Sequence, residues 1–154
     1  MLLALLVQVA SVKAMVAEAE RFGVMVGIEA GLHHPLYTAP LTRRLLDEVP
    51  SNNLQVILDC ANLMSPTNYL HQEAIITEAL KLLGYRIAII HLKDFIVQDG
   101  AIKIVPVGQG WLEFEPILRY MKYERPNIQG ILESTPESHL GESIAFLQEI
   151  YEEV

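Results

Sequence analysis

Residues 87–94 read IAIIHLKD: an apolar run that turns abruptly into His91, Lys93 and Asp94. The run is apolar at consecutive positions and shows no period-2 alternation. Such a segment is buried on both faces, as in a parallel sheet covered by helices. Upstream, LQVILD (54–59) and VMVGIEA (24–30) have the same character, and downstream so does NIQGILES (127–134). Between them lie segments with helical periodicity. Helix 11–22 stops at Gly23. Helix 39–48 follows Thr38 as N-cap and has Pro40 in its first turn. Helix 71–84 is closed by Gly84, helix 113–123 precedes the fourth strand, and a last helix covers 138–152. Within FIVQDGAIKIV, Asp99-Gly100 is a two-residue turn that predicts a small hairpin. Four strands alternating with helices specify an α/β fold with one parallel sheet. With no low-complexity stretch, linker or charge block to divide it, residues 1–154 read as a single domain.

Composition narrows the function. The 154 residues are 51% hydrophobic and 19% charged, with 11 basic against 19 acidic side chains, a net charge of −8 and a pI near 5.0. That balance opposes binding to a polyanion, so no nucleic-acid partner is expected. A single cysteine, Cys60, excludes an internal disulfide and fits a reducing, cytoplasmic setting. The apolar start, MLLALLVQVASVKA, lacks the basic region of a signal peptide and is too short to span a bilayer. It reads as a buried helix with no membrane role, a cleaved signal being the alternative.

Chemistry sits in a second regularity. Each strand ends in a metal-competent group: Glu29, Asp59, His91 and Glu133, which are 30, 32 and 42 residues apart. Carboxyl ends of parallel strands share one rim, so the four are expected to converge. Three carboxylates and an imidazole suit one divalent ion such as Mn²⁺, Mg²⁺, Co²⁺ or Zn²⁺. Taken singly, each has a plainer reading as a helix cap, a solvated loop residue or a structural histidine.

GVMVGIEA, NLQVILDCANL, IIHLKDF with PVGQGWLEFEPIL, and GILES together resemble the second half of the xylose-isomerase-like TIM barrels, the sugar-phosphate isomerases and epimerases. The resemblance implies half of a TIM barrel, equivalent to strands 5–8, with one divalent metal on Glu29, Asp59, His91 and Glu133. It further implies that Glu29 and Glu133 move the proton through an enediolate, which a Lewis-acid metal stabilises. The substrate would be a small sugar or sugar phosphate. Asn62, His33, His34 and Asp94 lie at or near positions where substrate contacts are expected, although each also reads as a loop residue: Asn62 as a loop cap, the histidines as solvated, Asp94 as a support behind the metal or the start of the hairpin. Gly108-Gln109-Gly110 resembles a phosphate-cradling loop or, equally, a device for placing the next helix. GLHHP and FIVQ lack the glutamate and arginine of ketose 3-epimerases, which leaves an isomerase, another epimerase or a dehydratase.

A whole barrel takes eight strand–helix units and about 250 residues. This chain supplies four, as a truncated frame, an excised domain or a half-barrel gene would. The competing expectation is therefore a non-catalytic fragment that folds and binds metal only. Open edges on such a half predict a homodimer that completes the barrel, unless residues 1–10 cover the exposed face.

Overall fold

The computed structural model describes residues 2–154, with side chains from residue 7 onward. In chain order its elements are α1 (Leu2–Phe22), β1 (Val26–Glu29), α2 (Ala39–Glu48), β2 (Leu54–Asp59), α3 (Gln72–Leu83) and β3 (Ile87–Leu92). They continue with β4 (Asp94–Gln98), β5 (Ala101–Val105), α4 (Glu115–Tyr123), β6 (Gln129–Leu132) and α5 (Leu140–Glu153). The main sheet has the order β1-β2-β3-β6, and every pairing in it is parallel. Strands β4 and β5 form the separate antiparallel hairpin. This is the α/β half-barrel expected from the sequence.

Several boundaries follow from local chemistry. Thr38 Oγ1 accepts the Leu41 N–H at 3.4 Å and starts α2, with Pro40 in the first turn. Asp99 and Gly100 take φ of 53° and 72°, the pair of positive angles that a type I′ hairpin turn needs. Helix α1 is longer than expected and runs unbroken from Leu2. Gly84 caps α3 with a right-handed φ of −34° and leads into a 3₁₀ turn, instead of taking the left-handed form usual for a closing glycine. The run 87–94 divides at Lys93, because Asp94 leaves the main sheet and begins the hairpin. Strand β6 is shorter than 127–134, and its exit turns sharply at Ser134, whose φ is 58°.

One face of the sheet is packed and the other is open. Leu54, Val56, Leu58, Ile87 and Ile90 are buried against the helical layer, which contributes Val12, Val16, Leu45, Leu46, Ile76, Leu83, Ile117 and Leu118. On the opposite face Gln55, Ile57 and Ile89 are only partly covered, and Gln129 and Ile131 are exposed. The expected cover from residues 1–10 falls partly outside the described side chains. Where α1 is described, it lies in the helical layer: Val9, Val12, Val16 and Ala19 are buried there. No helix among the described residues is long and apolar enough to cross a membrane.

Candidate metal centre

Register brings the strand ends together. Glu29 pairs with Ile57, so Asp59 stands two residues farther along β2; Asp59 pairs with His91. His91 pairs with Ile131, which puts Glu133 two residues farther along the fourth strand. Each step is zero or two residues, and side chains alternate with period two. All four groups therefore project from the open face of the sheet, at one rim. One ligand atom from each of Glu29, Asp59, His91 and Glu133 lies within 4.8 Å of all the others.

A fifth group joins them. Lys93 follows His91 at the same two-residue spacing and is 6% exposed. Its Nζ lies 2.7 Å from Asp59 Oδ2 and 2.9 Å from Glu133 Oε1. It also donates to Asn62 Oδ1 at 3.2 Å, and Asn62 Nδ2 donates to Glu29 Oε1 at 2.6 Å. Asn62 is held in turn by its own N–H, which Asp59 Oδ1 accepts at 3.1 Å. A chain of contacts thus runs from β1 across to the end of β6.

Electrostatics differ sharply among the acids. Burial pushes the Asp59 carboxyl up to about 6, in spite of the opposing pull of Lys93. At Glu133 burial acts in the same direction but is outweighed by the bonds to Lys93 and Asp59, and the group is held below its ordinary value. Burial pulls Lys93 down, yet the two carboxylates more than offset it and its pKa is raised. The cluster also has unmet bonding capacity. Asp59 Oδ2, His91 Nδ1 and Glu133 Oε2 are buried without a hydrogen-bond partner, although His91 Nδ1 and Glu133 Oε2 stand only 2.7 Å apart. Buried polar atoms at charge-pair distance with no directed hydrogen bond are what a site prepared for a cation presents. The donor set fits a divalent ion.

The remaining sequence candidates divide. His33 and His34 are exposed and line a cleft of about 590 Å³ with Asn62, Ser65, Ile102 and Ile104, the last two from the hairpin. Asn62 belongs to both cleft and cluster. Asp94 is placed otherwise than a substrate contact requires. It is 1% exposed, and its carboxylate accepts the backbone N–H groups of Phe95, Gly108, Gly110 and Leu112 at 2.8–3.0 Å. Alternation explains this, since Lys93 and Asp94 are neighbours and face opposite ways. The Gly108-Gln109-Gly110 loop cradles this carboxylate of its own chain; a Cβ at Gly110 would collide with Asp94. Trp111 stacks beside Tyr69, with centroids 5.6 Å apart. Sequence reasoning gave Lys93 no place at the centre of the cluster, though the Ile89–His91–Lys93 alternation carried that signal.

The family model for xylose isomerase-like TIM barrels matches residues 6–150. The chain belongs to the xylose isomerase-like TIM barrel family. Solved structures agree on the fold. A xylose isomerase domain protein from Planctomyces limnophilus superposes with a TM-score of 0.74 at 19% identity, over 95% of this chain and 51% of that one. For a 3-keto-D-glucoside 4-epimerase from E. coli the values are 0.68, 19%, 92% and 52%. A xylose isomerase-like TIM barrel protein from Mycobacterium smegmatis, in complex with magnesium, gives 0.70, 12%, 96% and 50%. The chain spans about half the length of these structures. Among curated protein sequences none matches.

Proposed function

We propose that this chain carries the metal-holding, proton-transferring half of a site that isomerises or epimerises a sugar or sugar phosphate. The observation that carries the reading is the convergence of Glu29, Asp59, His91 and Glu133 from four strands, with one ligand atom of each within 4.8 Å of all the others. These four would hold one divalent ion, of Mn²⁺, Mg²⁺, Co²⁺ or Zn²⁺ character. When bound, such an ion supplies Lewis acidity toward a carbonyl and its adjacent hydroxyl, so that the neighbouring C–H becomes acidic enough to lose its proton.

The protein's own groups then do the proton work. Glu29 and Glu133 come from the two outer strands and keep about a third of their side-chain surface exposed (34% and 36%), whereas Asp59 is sealed. One outer carboxylate accepts the proton and the other returns one, which is how paired carboxylates isomerise or invert a carbon next to a carbonyl. Asp59 and His91 hold. Asn62, His33 and His34 line the adjoining cleft and would contact the hydroxyl or phosphate groups of the substrate. The acidic charge and the fully buried Cys60 support a cytoplasmic protein with small-molecule partners and no nucleic acid.

Calorimetric titration with Mn²⁺ tests the first half of this reading. One ion per chain is expected, and His91→Ala and Glu133→Ala should each bind far more weakly. Binding as tight as the parent's in both variants would overturn the assignment. Deuterium exchange at the carbon beside the carbonyl, over a panel of ketoses, aldoses and their phosphates, tests the second half. Glu29→Gln and Glu133→Gln should lose exchange much more than they lose substrate affinity. A second reading rests on the chain's spanning only half of its relatives: a half-barrel that binds metal and turns nothing over. Metal binding without any exchange would favour it.

A further inference from the structure

The ammonium of Lys93 stands between two of the four groups that would hold the metal. Its contacts at 2.7 and 2.9 Å are to Asp59 and Glu133, and its 6% exposure leaves water little part in its solvation. Asp59 Oδ2 is buried and is ion-paired with this ammonium. A lysine is a compact point charge on a flexible stem, able to fill a cation position and to leave it. Asn62 offers it a third contact, on the side of the His33–His34 cleft.

We propose that Lys93 is the resident cation of the metal-free centre and a direct competitor of the metal ion. This rests on the metal-site reading given above. Three carboxylates gathered within 4.8 Å repel one another, and without an internal cation the empty centre would carry that repulsion unrelieved. Lys93 relieves it and lets the apo chain fold. A divalent ion held by Asp59 and Glu133 would have to displace the ammonium from both, and Asn62 Oδ1, already 3.2 Å from Nζ, is the contact that Lys93 could keep. Metal affinity is consequently weaker than the four ligands alone would provide, because entry has to displace a bound charge.

Lys93→Met removes the competitor and keeps most of the volume. Titration with Mn²⁺, followed by calorimetry and by the loss of the free-ion EPR signal, should show binding at least about tenfold tighter than in the parent, as expected for deleting a unit charge a few ångströms from a partly desolvated ion. In EDTA the variant should melt below the parent, and Mn²⁺ should raise its melting temperature more than it raises the parent's. Equal or weaker Mn²⁺ affinity in a folded Lys93→Met protein overturns the inference and leaves the metal site standing. No Mn²⁺ binding by either protein overturns both. If Lys93→Met fails to fold even with Mn²⁺, Lys93→Arg decides: with the charge kept, it should bind Mn²⁺ no more tightly than the parent, and tighter binding would overturn the inference.

Discussion

Asp59 is the described carboxylate that burial lifts furthest. It is 1% exposed at the end of a central strand, and burial lifts its carboxyl to about 6 while the unfolded chain releases that proton near the ordinary value of 3.8. Between those two values the folded state keeps a proton that the unfolded state has lost. Stability from this group is therefore fully present below pH 4 and declines as the pH rises toward 6. Asp59→Asn has nothing to titrate. Urea unfolding in EDTA at several pH values between 4 and 6.5 should give a slope for the parent that is more negative than the slope for Asp59→Asn. Equal slopes would show that Lys93 already neutralises the cost in full. A second residue-scale case is Ser134, directly after Glu133, at a φ of 58° that a β-branched side chain tolerates poorly. Ser134→Val should cost about 1–3 kcal/mol by urea unfolding, and Ser134→Gly should cost little.

Elements built on local chemistry were readable in the sequence, and those shaped by distant contacts were not. Helix 39–48 and strand 54–59 match the structure residue for residue: Thr38 caps the helix, and a turn at Asn52-Asn53 leads into the strand. The hairpin turn at Asp99-Gly100 was legible for the same reason. The four strand-end groups were legible because a parallel sheet delivers its carboxyl ends to one rim, wherever they fall in the chain. Lys93 and Asp94 were harder. Their roles depend on which face each occupies, and so on where IAIIHLKD leaves the main sheet. The hairpin and the 106–114 loop are joined through Asp94, which takes four backbone N–H groups. Asp94→Ala would strand the buried N–H groups of Phe95 and Leu112 and leave those of Gly108 and Gly110 without their acceptor, and it should lower stability by about 2–4 kcal/mol. Its Mn²⁺ affinity should stay within a few-fold of the parent's, since Asp94 makes no contact with the cluster. A selective loss of metal affinity at unchanged stability would restore it to the site.

At the scale of the whole molecule the four-stranded sheet has two free edges and an uncovered face. Strand β1 pairs only with β2, and β6 only with β3, among the described residues. Near these edges Phe22, Met25 and Ile131 are 74%, 59% and 43% exposed. Bare parallel edges flanked by apolar side chains are templates for further pairing. What fits must present parallel strands to both edges at once and supply a face for Ile57, Ile89 and Ile131 to pack against. The family's barrel is eight-stranded, and this chain, matching about half of its relatives, is itself a four-stranded unit of that shape. Two copies related by a two-fold axis along the barrel would set β6 of one protomer beside β1 of its partner, all strands parallel and both metal centres on the same rim. The 154-residue chain is accordingly expected to scatter light as a species of twice 17.3 kDa at micromolar concentration. Ile131→Lys places a charge on the face that closure would bury, and it should shift the species to the monomer. A parent that stays monomeric and monodisperse at 17.3 kDa through the same concentration range would refute self-closure. In such a monomer the β1 and β6 amides should exchange with solvent hydrogen faster than those of β2 and β3.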